Sequence, residues 1–292
     1  MTDPAVERDA AEEASAFSHP AVPPDATAAY GDHPDQVVDF YAPRTGTGPA
    51  PLVAVLHGGA WRAPYDRLHI TPFADFLARQ GFAVANIEYR RGSALPHQGA
   101  SAPVAGRWPD TFDDVAAALD ALPALAATAL PTADPRRTVL TGHSAGGQLA
   151  LWAAARHVLP PDAPGTWRLP CPPQLRGVVA LAPIADFTVA GELAVCGGAS
   201  EQLLGGEALF TARRPYADPA ALLPTGIATA IVHGSTDIVV PVAVSDAYVD
   251  AAAKAGETVG LTLLADVGHF PLIDPAADAC AVVAEEIAQL AW

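Results

Sequence analysis

Between an apolar run and a helix-forming run, this chain places Gly142-His143-Ser144-Ala145-Gly146. Val139-Leu140-Thr141 leads in, and Gln148-Leu149-Ala150-Leu151-Trp152 leads out. So short a passage from strand to helix forces a tight turn at Ser144. Such a turn brings neighbouring backbone against the positions two before and two after the serine, where a Cβ would clash, and both are glycine. The turn also points the Ser144 hydroxyl at the amino end of the following helix, whose unpaired N–H groups favour developing negative charge. A hydroxyl presented in this way is a candidate nucleophile. It then requires an oxyanion loop upstream, an acid downstream and a histidine after the acid, in that order.

All three are present. Leu52-Val53-Ala54-Val55-Leu56 is a continuous apolar run, as suits a central parallel strand covered on both faces. It ends in His57-Gly58-Gly59-Ala60-Trp61, where successive glycines let backbone N–H groups turn toward a cleft. Gly58 and Gly59 are the expected oxyanion donors, with the N–H of Ala145 as the third. Downstream, Asp237 follows His233-Gly234-Ser235-Thr236 just past one strand, and His269 sits in Gly268-His269-Phe270 just past the next. A serine hydroxyl is a poor nucleophile at neutral pH. His269 is expected to accept its proton, and Asp237 to hold the imidazole in the correct tautomer. Asp186, after Leu181-Ala182-Pro183, is the rival acid. His57 and His143 are expected to shape their turns. His143 and Trp61 are the candidate substrate contacts, although Trp61 is equally suited to packing beneath its loop.

The remaining patterns supply the frame. Val37–Tyr41, Ala83–Ile87, Gly177–Leu181, Thr229–Val232 and Gly260–Leu264 read as further strands. Helical periodicity covers 71–80, 111–122, 242–255 and 278–290. The alternation predicts an α/β fold: a doubly wound, mostly parallel sheet flanked by helices, with sites at the carboxyl ends of the strands. Residues 1–28 are expected to form an N-terminal arm, with a short helix over 6–17 or none. Residues 29–292 form the main domain, and the glycine-rich stretch 185–224 is a candidate cap insertion. Residues 88–107 read as a long loop. Asp110, Asp113 and Asp114 mark a helix start, where they oppose the helix dipole.

Composition narrows the classes. With 292 residues and 51% hydrophobic residues, one large core is expected. A net charge of −16 repels phosphate backbones and anionic lipid, so neither nucleic acid nor membrane is an expected partner. Three cysteines without metal-like spacing argue against a disulfide framework and a metal site. With no basic-then-apolar leader and no long apolar span, a cytoplasmic, soluble protein is expected. No cofactor is expected. The oligomeric state is open, with a homodimer as the candidate.

Together, His57-Gly58-Gly59-Ala60-Trp61, Gly142-His143-Ser144-Ala145-Gly146, His233-Gly234-Ser235-Thr236-Asp237 and Gly268-His269-Phe270 resemble the α/β-hydrolase superfamily. The His-Gly-Gly-x-Trp form is similar to the kynurenine formamidase group and its esterase/lipase relatives. Tyr89-Arg90-Arg91 departs from the Tyr-Arg-Leu-Ala-Pro-Glu run common in hormone-sensitive-lipase-like esterases. The resemblance implies a triad of Ser144, Asp237 and His269, and a cofactor-free serine hydrolase acting on small carboxylic esters or aryl formamides. Two alternatives are a peptidase of the prolyl-oligopeptidase type and a non-catalytic ligand-binding module on the same fold.

Overall fold

The computed structural model describes residues 3–92 and 104–292. The middle of the long loop expected at 88–107 therefore lies outside the described residues. Among the described residues, eight strands form one sheet: β1 Ala26–Ala29, β2 Val37–Tyr41, β3 Ala50–Leu56, β4 Ala83–Ile87, β5 Ala133–His143, β6 Gly177–Leu181, β7 Thr229–Gly234 and β8 Gly260–Leu264. Their spatial order is β1-β2-β4-β3-β5-β6-β7-β8. β2 runs antiparallel to both of its neighbours, while every pairing from β4 to β8 is parallel.

Period-two alternation explains how the helices divide between the faces. Leu52, Ala54 and Leu56 of β3 and Leu140 of β5 point into one core cluster. That cluster also holds Phe112 and Val115 of α3 (Asp110–Ala129), Leu149 and Trp152 of α4 (Ala145–Ala154), and Tyr248 of α8 (Ala243–Lys254). Val53, Val55 and Val139 point the other way, against Phe73 and Leu77 of α2 (Thr71–Arg79) and Val283 and Ile287 of α9 (Asp278–Ala291). Every residue of β3 is buried, as a strand covered on both faces requires. Helix α3 passes the expected end at Leu122 and continues through Pro123, burying Ala126 one turn on.

The insertion at 185–224 folds as short helices, α5 Phe187–Glu192, α6 Ala199–Leu203 and α7 Glu207–Arg213, joined by 3₁₀ turns. It is anchored to α4, because Gln148 Nε2 donates to the Ala217 carbonyl and Trp152 Nε1 to that of Tyr216. The amino-terminal segment is not a detached arm. Asp3 caps helix α1 (Pro4–Ala16), with proline at its first position, and β1 adds to the sheet edge. An arm boundary at residue 28 would cut through β1, whose four residues Ala-Thr-Ala-Ala are too short and too small to announce a strand. No helix among the described residues is long and apolar enough to cross a membrane.

After β3 the chain steps to β4 on one side, then crosses back to β5 on the other. The carboxyl ends of β3 and β5 therefore flank the point where the winding reverses, the crevice in which open α/β sheets place their ligands.

Candidate active site

β5 ends at His143, and α4 begins at Ala145, so Ser144 alone makes the turn. Its φ is +56°, a left-handed backbone that side chains rarely adopt and that persists only where surroundings impose it. Here the Ser144 N–H donates to the Leu181 carbonyl at 2.8 Å, and the Ser144 carbonyl accepts from Gln148. The flanking glycines are required by close approach. A Cβ at Gly146 would sit 2.0 Å from the Leu56 carbonyl oxygen, and one at Gly142 would sit 2.3 Å from that of Gly146. The Ser144 hydroxyl makes no hydrogen bond to a described residue. It opens into a cavity of about 200 Å³, which His143 and His269 also line. Such serine–histidine contacts often close only around substrate.

Asp237 and His269 form the tightest polar contact near the serine. His269 Nδ1–H donates to Asp237 Oδ2 at 2.6 Å, and both residues are almost fully buried. The other carboxylate oxygen accepts the N–H groups of Val239 and Val240, each at 2.8 Å. Burial by itself would raise the Asp237 carboxyl. The facing His269 and His233 outweigh that and hold it well below the usual carboxylate range. Asp237 is thus an anion aimed at the imidazole. Asp186, the rival acid, is used elsewhere: it caps α5, accepting from the N–H groups of Thr188 and Val189.

His143 does more than shape its turn. Its ring lies against that of His269, with centroids 4.3 Å apart, and its Nε2–H donates to the His269 carbonyl at 3.0 Å. Burial pushes the His143 imidazole well below its ordinary range, with His269 acting in the same direction, so the ring is a neutral donor. Position in the sequence gave no sign of this bond, which spans 126 residues.

The loop after β3 is held rigidly. His57 Nε2 meets Glu88 Oε1 at 2.8 Å, and His57 Nδ1 meets the Gly58 carbonyl at 2.9 Å. The His57 ring stacks on Tyr89 at 4.3 Å, and the Tyr89 hydroxyl donates to the His57 carbonyl. Glu88 also accepts the Arg67 N–H and contacts Arg91. Burial would raise the Glu88 carboxyl, but His57 prevails and holds it at about 2. Within this loop Gly59, Ala60 and Arg62 line the cavity, and Gly58 packs beside the Ser144 turn, where an added Cβ would sit 3.0 Å from the His143 carbonyl oxygen and 3.5 Å from the Ser144 Cβ. The expected donors Gly58 and Gly59 thus lie beside the Ser144 turn and along the cavity it opens into. Ala145 remains at the first position of α4, where its N–H has no intrahelical acceptor.

Trp61 does not wall the cavity. It is fully buried, in edge contact with Phe187 of the insertion, and its carbonyl accepts from Gly92 and Gly106. The aromatic lining comes instead from Tyr65, Phe270 and Phe17, with His69 among them. The insertion contributes Cys196, whose carbonyl accepts from Arg62 at 2.7 Å. The three acidic residues opening α3 are also tied down: Asp114 receives Arg90 and Gln36, Asp113 receives the Trp167 indole N–H, and Asp110 pairs with Arg90 and Arg107. Among the described residues no cluster of side chains could hold a metal ion.

The family model that matches this chain is BD-FAE, over residues 38–251. The chain belongs to the BD-FAE family. That match spans the β3 loop, the Ser144 turn and Asp237, and stops before His269. A curated relative, a probable isoprenylcysteine alpha-carbonyl methylesterase from Arabidopsis thaliana, is 29% identical over 136 residues. Those residues are 47% of this chain and 26% of the relative, so the chain spans about a quarter of the length of the curated relatives it matches. Among solved structures, esterase B from Lactobacillus rhamnosis aligns with a TM-score of 0.74 at 20% identity, covering 98% of this chain and 91% of that one. A bifunctional GH43-CE protein from Bacteroides eggerthii aligns at 0.71 and 21% identity, covering 92% and 38%. At these identities the neighbours establish the α/β-hydrolase fold for this BD-FAE member.

Proposed function

We propose that this BD-FAE protein is a serine hydrolase that cleaves small carboxylic esters through an acyl-enzyme. One observation carries the reading: Ser144 projects from a strained strand-to-helix turn into the cavity lined by His269, which is bonded to a buried, anionic Asp237. The esterase names of the relatives and fold neighbours support the same chemistry.

In acylation, Ser144 Oγ attacks the ester carbonyl carbon and its proton passes to His269 Nε2. Asp237 stabilises the imidazolium through the Nδ1–H bond. The carbonyl oxygen becomes an oxyanion, held by N–H groups of Gly58, Gly59 and Ala145, each worth on the order of 3 kcal/mol. Collapse of the tetrahedral intermediate breaks the C–O bond, and the alcohol departs with the proton from His269. Water repeats the sequence on the acyl-enzyme. A cavity of about 200 Å³ lies below the size of pockets that hold drug-sized ligands, which favours short acyl groups.

An aryl formamide is the second reading. A formyl group needs almost no acyl room, and Tyr65, Phe270 and Phe17 offer rings to an aromatic leaving group. Initial rates on p-nitrophenyl acetate, butyrate and octanoate beside N-formylkynurenine, for wild type and Ser144→Ala, decide between them. Acetate and butyrate turnover that is lost in the variant is the expected result. Formamide turnover equal to the best ester assigns deformylation instead. Residual activity in Ser144→Ala removes the serine from its role. A fluorophosphonate that fails to label Ser144 would indicate a binding module.

A further inference from the structure

Helix α1 lies across the catalytic loops, and no part of the BD-FAE match includes it. Arg8, Glu12 and Ser15 recur on one helical face at i, i+4 and i+7, and each bonds to a segment next to the site. Arg8 Nη2 donates to the carbonyl of Thr236, the residue before Asp237. Glu12 Oε1 accepts the N–H of Gly268, the residue before His269, at 3.2 Å. Ser15 Oγ donates to Asp274 at 2.6 Å, just beyond the 3₁₀ turn at Phe270–Leu272, and His19 reaches the same carboxylate. Gly268 leaves the room this requires, since a Cβ there would sit 2.0 Å from Glu12 Oε2. The next residue along, Glu13, and the helix-terminal Phe17 line the cavity with Ser144. The Phe17 ring meets Phe270 and His69 edge-on, with centroids 5.6 and 5.7 Å apart.

We propose that α1 is a working part of the active site, with Arg8 and Glu12 positioning the acid and base loops and Phe17 limiting the size of the group the cavity accepts. The bonds fall on the residues immediately before the acid and the base. A helix that merely covered apolar surface would have no reason to put an arginine on one of these and a carboxylate on the other. Thr236 already donates to the Val267 carbonyl, so the two loops meet each other, and α1 ties both to a third, rigid element. Small displacements of a general base cost turnover without costing binding. Phe17, at the end of the helix, presents a ring rather than a flexible chain to the mouth of the cavity, which suits an apolar or aromatic group of fixed length.

This inference rests on the ester hydrolase reading, and its test separates the two. Wild type, Glu12→Ala, Glu12→Gln and Phe17→Ala are assayed on p-nitrophenyl acetate, butyrate and octanoate, with thermal melts of each. Glu12→Ala is expected to lower kcat about tenfold with KM little changed, and Glu12→Gln, which keeps an acceptor for the Gly268 N–H, to restore it. Phe17→Ala is expected to raise the octanoate-to-acetate ratio of kcat/KM about tenfold. Should Glu12→Ala fail to fold, Arg8→Met carries the positioning test at the acid loop. Folded variants with wild-type kcat and an unaltered chain-length ratio overturn the role of α1 while leaving the hydrolase reading intact. A wild type that neither turns over any ester nor accepts a fluorophosphonate overturns the reading, and this inference with it.

Discussion

His143 Nε2–H donates to the main-chain carbonyl of His269 at 3.0 Å, so the residue preceding Ser144 holds the backbone of His269. With the Asp237 bond on the far side of the ring, His269 is fixed at both its main chain and its imidazole. His143→Ala leaves that carbonyl without its donor and opens a gap beside the ring. Its kcat is expected to fall about tenfold, with KM changing much less. Steady-state kinetics on p-nitrophenyl butyrate check this, and an unchanged kcat in a folded variant would show that the bond has no part in turnover.

The acid assignment separates cleanly by substitution. Asp237→Asn is expected to lower kcat by roughly 10³- to 10⁴-fold, because the amide no longer holds the reactive tautomer. Asp186→Ala removes a helix cap, at about 1 kcal/mol, and leaves kcat near wild type. A large loss of activity in Asp186→Ala with retained activity in Asp237→Asn would reverse the two roles.

The turn at Ser144 leaves no room for a side chain two residues after the serine. In Gly146→Ala the new Cβ would meet the Leu56 and His57 carbonyl oxygens at 2.0 and 2.4 Å, so backbone must move. Overpacking of this kind costs about 1–3 kcal/mol, and a clash with backbone belongs at the upper end. The melting temperature is expected to drop by roughly 6–12 °C, at ~2–4 °C per kcal/mol. Activity should fall further than stability, since Leu56 and His57 lead into the oxyanion loop. A variant that melts with wild type would contradict the packing described.

Acid should destabilise the fold in two stages. Burial holds His69 at about 3, against its ordinary 6.5, so below about pH 6.5 the unfolded chain takes up a proton that the folded one refuses. Stability is therefore lost as pH falls from about 6.5 toward 3, and buried His143 acts in the same direction. Glu88 is shifted the opposite way relative to charge: held at about 2 against 4.5, it contributes stability that is present above about pH 4.5 and lost as pH falls toward 2. Melting temperatures from pH 8 to 3 check this, with His69→Phe expected to flatten the first stage. A melting temperature constant between pH 6.5 and 5 would refute it.

The turn at Ser144 and the strand-end positions of Asp237 and His269 were legible because their signals are local. Gly142 and Gly146 announce a turn that backbone geometry demands, and Asp237 and His269 follow strands whose ends share one side of a parallel sheet. Pairing between distant residues left no such signal. The oxyanion loop illustrates the limit. Two glycines marked the loop, but the contacts that hold it, His57 with Glu88 and Tyr89 with the His57 carbonyl, join residues 31 and 32 positions apart. Trp61 has a similar history. Its side chain could equally wall the site or fill the core, and Phe187 of the insertion settled it toward the core.

By itself, the sequence determined the α/β fold and brought Ser144, Asp237 and His269 forward as candidates, because periodicity and turn chemistry are set within a few residues along the chain. The tertiary structure decided which groups surround those residues: His143 on the carbonyl of His269, Asp186 as a helix cap, and α1 across the loops of Asp237 and His269. Each of these depends on a contact between residues distant in sequence, or on a choice between two uses of one side chain. Only packing makes such a choice, since hydrogen-bond partners and buried volume are shared among elements that the order of residues leaves apart.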